Sequence, residues 1–294
     1  MALHGLRVEL LSRRAYSAMD PVRTHSLGIA LERQKGVHAI GSDQREDFDT
    51  WPGMLSYTPP GVDVFSESAT GGEYLVARRT CGLGVPVPQR SKGRAYWAGH
   101  APALAAAQHL RRLLLDAAPD VLAVEQSALA FLNLQTPTDG DNSPDPHPQL
   151  RSVYGRVLDR IAHEFAQPLS IAQLAQAEGK TPLRFLREFT RLVGTTPHAF
   201  IVETRIQAAR AMVRKDAAPL ASIALDCGFT HQSHMGVAFR KVLGRTPGQY
   251  LAAWRQGQYA SPHPAGSLPA GQQLSNRGED LPRLDRLGEM QIES

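Results

Sequence analysis

Two stretches of this chain repeat one another. "RFLREFTRLVGTTPHAFI", Arg184 to Ile201, lies over "HMGVAFRKVLGRTPGQYL", His234 to Leu251, at an offset of 50. Phe189 matches Phe239, Gly194 matches Gly244, Thr196 matches Thr246, Pro197 matches Pro247 and Phe200 matches Tyr250. Just upstream the offset is 49, where Leu174-Ala175 matches Ile223-Ala224 and Gly179 matches Gly228. A duplicated unit must find the same local fold twice, so whatever one copy can form, the other must form as well.

The shared residues say what that fold is. Thr-Pro steps stand at 181–182, 196–197 and 246–247. A threonine hydroxyl caps a helix N-terminus, and proline suits the first helical position because its missing N–H has no helical partner there. Gly194 and Gly244 stand where a helix ends and the chain turns through a positive φ. Gly179 and Gly228 fall in the tight turn between a short helix and a longer one. Each copy therefore reads as short helix, glycine turn, longer helix, glycine stop, which is a helix-turn-helix.

In the first copy Phe185, Phe189, Leu192 and Val193 form an apolar stripe, leaving Arg184, Arg187 and Arg191 on another side. In the second the stripe is Met235, Phe239, Val242 and Leu243, and Gln232, Ser233, His234, Arg240 and Lys241 are left outside. Such helices suit a DNA major groove: arginine pairs with guanine, glutamine with adenine, and either basic side chain with phosphate. A single cationic helix is more often a solvated face. Here two occur in tandem, and residues 151–255 hold 15 Lys/Arg against 7 Asp/Glu, whereas residues 1–150 hold 14 against 16. Concentrated positive charge on a duplicated helical unit predicts double-stranded DNA as the partner.

The segment 153–255, with its "GF…QSH…F…G.TP..Y" pattern from Gly228 to Tyr250, resembles the DNA-binding domain of AraC/XylS-type transcriptional regulators. The resemblance implies seven helices, with a rigid linking helix at about 197–213 that holds two reading helices in successive major grooves about 34 Å apart. It places Thr181, Leu183, Arg184, Leu186 and Arg187 at the first reading surface and Gln232, Ser233, His234, Gly236 and Val237 at the second. Arg191, Arg240 and Lys241 complete the candidate DNA-binding set. Met235, Gly236 and Val237 depart from the family's usual aromatic, small polar and arginine residues. Val237 grips neither phosphate nor guanine, so the first unit is expected to dominate specificity and the second to add register.

The remainder is read with the same tools. From Ser26 to Arg79 short apolar runs alternate with turns: "SLGIALE", "GVHAI", "MLSY" and "EYLVARR" read as strands, "TPPGVD" and "TGGE" as turns. Residues 1–22 read as loosely ordered. Two helical runs follow within 102–134, with Leu104, Ala107, Leu110 and Leu114 on one and Leu122, Val124, Leu129 and Leu132 on the other. The predicted fold class is α+β, divided into a cupin-like domain at 22–135, a Pro/Asp/Gly-rich linker at 136–150, the double helix-turn-helix at 151–256 and a disordered tail at 257–294. The resemblance implies that the first domain binds an effector or protein partner and that the helical pair dimerises. Trp51, Tyr57 and Phe65 are the candidate lining of an effector pocket.

A metal-dependent cupin enzyme is the competing class, but it needs a close His-x-His plus Glu cluster. His25 and His38 are thirteen apart, so neither enzyme activity nor a cofactor is expected. His231 and His234 have no third ligand nearby, and Cys227 reads as a small core residue. Two distant cysteines, Cys81 and Cys227, make no disulfide framework. The N-terminal apolar run is too short and broken for a signal peptide, and no window approaches the roughly 18 apolar residues of a membrane span. The expectation is a cytoplasmic, sequence-specific transcriptional activator acting on DNA, in contact with RNA polymerase and a small-molecule effector. The alternative is a constitutive architectural DNA binder without a ligand.

Overall fold

The computed structural model describes residues 2–3, 5–79, 93–134, 148–215 and 218–256. The N-terminal part holds ten strands: β1 (Ala2–Leu3), β2 (Leu6–Leu11), β3 (Tyr16–Val22), β4 (His25–Ala30), β5 (Gln34–Ile40), β6 (Glu46–Thr50), β7 (Leu55–Thr58), β8 (Val62–Ser68), β9 (Tyr74–Arg79) and β10 (Ala95–Trp97). They form two antiparallel sheets, ordered β1-β2-β9-β4-β7-β10 and β3-β8-β5-β6. Side chains alternate between the faces of a strand. In the larger sheet Leu27, Ile29, Leu55, Tyr57, Leu75 and Ala77 point one way and are buried under two helices, α1 (Ala101–Leu114) and α2 (Val121–Leu132). Their neighbours Ser26, Gly28, Ser56, Thr58, Tyr74 and Val76 point the other way and line a cavity of about 200 Å³, which the smaller sheet also lines.

Three expectations are corrected here. Residues 1–22, read as loosely ordered, carry β2 and β3. Pro21 hid the second of these: it lies in an edge strand, where a residue without an N–H is tolerated. "TPPGVD" is a turn only as far as Gly61, because Val62 and Asp63 already pair in β8. Leu122, expected on the apolar stripe of the second helix, is exposed, and the buried positions of α2 are Val124, Ala128, Phe131 and Leu132.

Seven helices make up the described residues from 148 to 256: α3 (Pro148–Glu164), α4 (Ile171–Ala177), α5 (Pro182–Val193), α6 (Pro197–Lys215), α7 (Leu220–Asp226), α8 (Gln232–Leu243) and α9 (Pro247–Arg255). The fold is α+β: the described strands and α1–α2 make the N-terminal part, and the described residues from 148 to 256 are helical. Thr181, Thr196 and Thr246 each accept a hydrogen bond from the backbone N–H three residues on. Gly194 and Gly244 end α5 and α8 in the left-handed conformation at φ 76° and 77°. An L-residue is strained there, which is why both copies keep glycine at this point. Two apolar cores result, one around Phe185, Phe189 and Tyr154, the other around Met235, Phe239 and Tyr250. The long helix α6 contributes Ile201 to the first and Ile206, Ala209 and Val213 to the second. Cys227 is buried in the second core, 3.7 Å from the Met212 sulfur, and burial pushes its thiol up to about 11. The tail at 257–294, Cys81, and positions 136–147 of the expected linker lie outside the described residues.

The two halves are clasped together at three places. Trp51 packs into the first helical core under the guanidinium groups of Arg151 and Arg33, and Arg33 pairs with Asp159 of α3 at 2.9 Å. In the middle, Glu73 is fully buried between Arg111 of α1, at 3.0 Å, and Arg210 of α6, while Arg111 also pairs with Glu203 of α6 at 2.6 Å. At the second core, Arg111 donates to the Val242 carbonyl at 3.2 Å, and Leu115 is buried among the residues of α6 to α9. Burial alone would push the Glu73 carboxyl up; the two guanidinium groups outweigh it and hold it below the ordinary range.

Candidate nucleic-acid interface

The apolar stripes fix which side of each reading helix faces outward. On α5, Phe185, Phe189, Leu192 and Val193 are buried, as the spacing requires, so Leu183, Arg184, Arg187 and Arg191 stand exposed. Leu186 is only half-buried. Thr181 caps the helix, its hydroxyl accepting from the Arg184 N–H at 3.4 Å. On α8, Met235, Phe239 and Leu243 are buried, while Gln232, Ser233, His234, Val237, Arg240 and Lys241 are exposed. Gly236 faces open space, with no atom within 4 Å of where a Cβ would stand. The clasp with the N-terminal half leaves the first turns of both helices uncovered.

The two helices are prepared differently. Arg184 donates through Nε to Glu188 at 2.8 Å, one turn along α5. The same carboxylate takes Lys180 at 2.7 Å and the Tyr154 hydroxyl at 3.0 Å. Burial raises the Glu188 carboxyl, but these three donors overcome it and lower its pKa to about 2. One acidic residue thus ties α3, the glycine turn and the reading helix together, and it holds the Arg184 side chain over the N-terminal turn. No reading of α5 from its charges alone singles out Glu188. The signal was its placement four residues after Arg184, the spacing of an ion pair on one helix face.

On the second helix the cap is His231, whose ring nitrogen accepts from the His234 N–H at 3.2 Å. His234 is itself steered by Thr230, 3.2 Å from its Nδ1, and stands edge-on to Phe229. The pair therefore serves helix capping and side-chain orientation. It is an imidazole substitute for the threonine that caps the first copy.

The cavity between the sheets has a lining different from the one expected. Trp51, Tyr57 and Phe65 do not line it; each is one position out of step with residues that do. Thr50, Ser56, Thr58, Val64 and Ser66 point inward. Tyr57 consequently faces the helices, where His25 bonds its hydroxyl at 2.6 Å. Phe65 faces outward beneath Arg45, 4.5 Å from the ring centre, and Trp51 belongs to the first helical core. The three aromatic side chains expected there serve packing or face outward. The opposite faces, which mix polar and apolar side chains, line the space. Sequence reasoning missed Tyr16, Tyr74, Arg94 and Tyr96, which do line it.

Residues 174–253 match the family model of a helix-turn-helix domain. A putative AraC-like transcription regulator of Streptomyces antibioticus is 30% identical over 142 residues, which are 48% of this chain and 40% of that protein. Residues 174–253 form an AraC-type helix-turn-helix domain. The RCS-specific HTH-type transcriptional activator RclR of Escherichia coli (strain K12) is 30% identical over 110 residues, 37% of either sequence. Among solved structures, the DNA-binding domain of AdpA, the global transcriptional factor, in complex with a target DNA is 22% identical with a TM-score of 0.34, covering 38% of this chain and 97% of that one. The matched residues thus span less than half the length of these curated relatives. Among the described residues no helix is long and apolar enough to cross a membrane.

Proposed function

We propose that this AraC-type chain is a sequence-specific DNA-binding transcriptional activator that acts in the cytoplasm, is not an enzyme, and is modulated by a small molecule held between the sheets of its N-terminal domain. The observation that carries the reading is the pairing of two capped helices, α5 and α8, whose first turns present Leu183, Arg184, Arg187, Gln232, Ser233 and His234 to solvent while both apolar stripes are buried. In this reading Arg184 and Arg187 address base edges. Leu183 and Leu186 meet thymine methyl groups. Arg191, Arg240 and Lys241 engage phosphates, and the second helix supplies register through Gln232, Ser233 and His234. Thr181 serves as the cap that aims the first turn. Gly236 and Val237 leave the second surface without a strong base-reading group. A cavity between the sheets, lined by apolar and polar side chains together, supports a ligand-responsive regulator over a constitutive architectural binder. The helical pair spends its buried stripe on its own sheet, so a homodimer through 102–134 would use the outer face, where Val121 and Leu122 are exposed. RNA polymerase is the natural recipient of an activator's contact.

Selection from a randomised duplex library with the purified full chain tests this. The expected product is a non-palindromic site with two short boxes about 10 bp apart, since the two reading helices are tandem copies on one chain. Enrichment of a palindrome of identical half-sites, or of nothing above the input library, would refute the reading.

A further inference from the structure

Arg94, just before β10, lines the cavity, and its Nε is enclosed without a hydrogen-bond partner. Its other contacts are neutral: Nη2 donates to the Ser56 hydroxyl at 3.0 Å and to the Tyr74 hydroxyl at 3.3 Å, and the guanidinium lies 5.3 Å from the centre of the Tyr96 ring. The Tyr96 hydroxyl, also buried and also on the cavity wall, has no partner either. The cation of Arg78, on the same wall, is paired with both Glu9 and Asp20. Among the described residues no carboxylate pairs with Arg94. An arginine stays charged at any working pH, and an enclosed charge is costly unless it is met by an opposite one. Burial pushes the Tyr16 and Tyr96 phenols up, so these neighbours remain neutral donors and do not neutralise Arg94.

We infer that the cavity is a binding site for a small organic monocarboxylate, whose carboxylate accepts from Arg94 and the Tyr96 hydroxyl and whose compact apolar body lies among Leu11, Val22, Phe48 and Val76. An apolar cavity of about 150 Å³ accommodates benzene, so about 200 Å³ is sufficient for a ring-sized body carrying one charged group. A carboxylate fits the site better than a sugar does, because the wall supplies one fixed cation with no carboxylate partner among the described residues rather than a balanced set of donors and acceptors. This rests on the ligand-responsive part of the proposed function and gives that ligand a chemical class.

Calorimetric titration of the full chain with benzoate, phenylacetate and hexanoate, against benzamide as the neutral isostere of the first, tests it. At least one carboxylate is expected to bind, and benzoate to bind at least about tenfold more tightly than benzamide, since a charge-assisted bond is roughly twice as strong as a neutral one. Arg94→Met should weaken carboxylate binding at least about tenfold, Arg94→Lys should retain part of it, and Tyr96→Phe should weaken it by a smaller factor. Equal affinities for acid and amide, unchanged binding in Arg94→Met, or no binding of any of the three acids would overturn the inference. If Arg94→Met loses its native circular dichroism, the acid–amide contrast in the wild-type chain and the Tyr96→Phe variant decide. DNA binding measured on the same samples separates the two readings. Failure of the carboxylates with DNA affinity intact sinks only the ligand class, whereas absence of specific DNA binding sinks the regulator.

Discussion

At the scale of single residues, the first reading helix is organised by Glu188. Its carboxylate gathers Lys180, Arg184 and Tyr154, and in the folded chain its pKa is held at about 2 instead of the ordinary 4.5. A depressed pKa contributes stability that is complete above the unfolded value and disappears as pH falls toward the folded one. Wild type and Glu188→Gln should therefore differ by a constant amount in denaturant midpoint above about pH 5. The difference should shrink below pH 4.5 and vanish near pH 2. A difference that stayed constant down to pH 2 would show that the residue acts through packing and not through its charge. Arg187, exposed one turn from the cap, has no ion pair among the described residues and is free to reach outward. Arg187→Ala should cost about 1–3 kcal/mol in specific DNA affinity and relax one base position if it reads an edge; a uniform loss across sequences with a shallower salt dependence would mark it as a phosphate contact. A footprint and affinity identical to wild type would remove it from the interface.

At the scale of elements, the helices of the C-terminal half were legible because their signals are local. Thr-Pro steps, glycine stops and the 3.6-residue stripe each specify a helix end or face within a few residues, and Phe185, Phe189, Met235 and Phe239 are buried where the period puts them. His231 shows the limit, for a cap is a position as well as a residue type, and nothing in "THQSH" distinguishes His231 from Thr230 as the residue that closes the turn. The strands were less legible. In "HSLGIA" or "LSYT" the alternation announces two faces, but not which face a covering helix takes and which encloses space. That choice is made by α1 and α2, far along the chain, and it sent Tyr57 to packing and Ser56 to the cavity. One helix element also carries an unfilled position. Gly236 sits inside α8 with open space where a Cβ would stand. Gly236→Ala should raise stability by about 0.5–1 kcal/mol, read as an increase in melting temperature, because glycine's extra backbone freedom in the unfolded chain is removed without a clash. A lower melting temperature would mean that the position is strained. Weakened DNA binding at raised stability would instead mean that the groove approaches closer here than a methyl group allows.

At the scale of the molecule, the central question is what joins a ligand cavity to two reading helices. Glu73 stands one residue before Tyr74, the cavity residue that bonds Ser56 at 2.6 Å and Arg94 at 3.3 Å. Glu73 itself is buried against Arg210 on α6, the helix shared by both helical cores, and against Arg111 of α1. Wall and latch are thus adjacent on one stretch of backbone, and a change at the cavity has a short physical route to the helix that spaces the two units. Replacing Glu73 with Gln would leave Arg111 paired with Glu203, whereas Arg210 would keep its hydrogen bonds to Tyr250 and Gln207 but lose its carboxylate. Removing one member of a buried pair typically costs about 3–5 kcal/mol, because the other charge stays buried and unmatched. Glu73→Gln should therefore show a lowered first transition in thermal unfolding, with the N-terminal half separating from the helical half before either unfolds completely. The double variant Glu73→Gln, Arg210→Met should recover much of the loss, since it removes the stranded cation as well. If both variants melted at the wild-type temperature, or if the double variant were less stable than the sum of its single changes, Glu73 would not be the latch between the domains, and the cavity would have to communicate with DNA through the Trp51 contact instead.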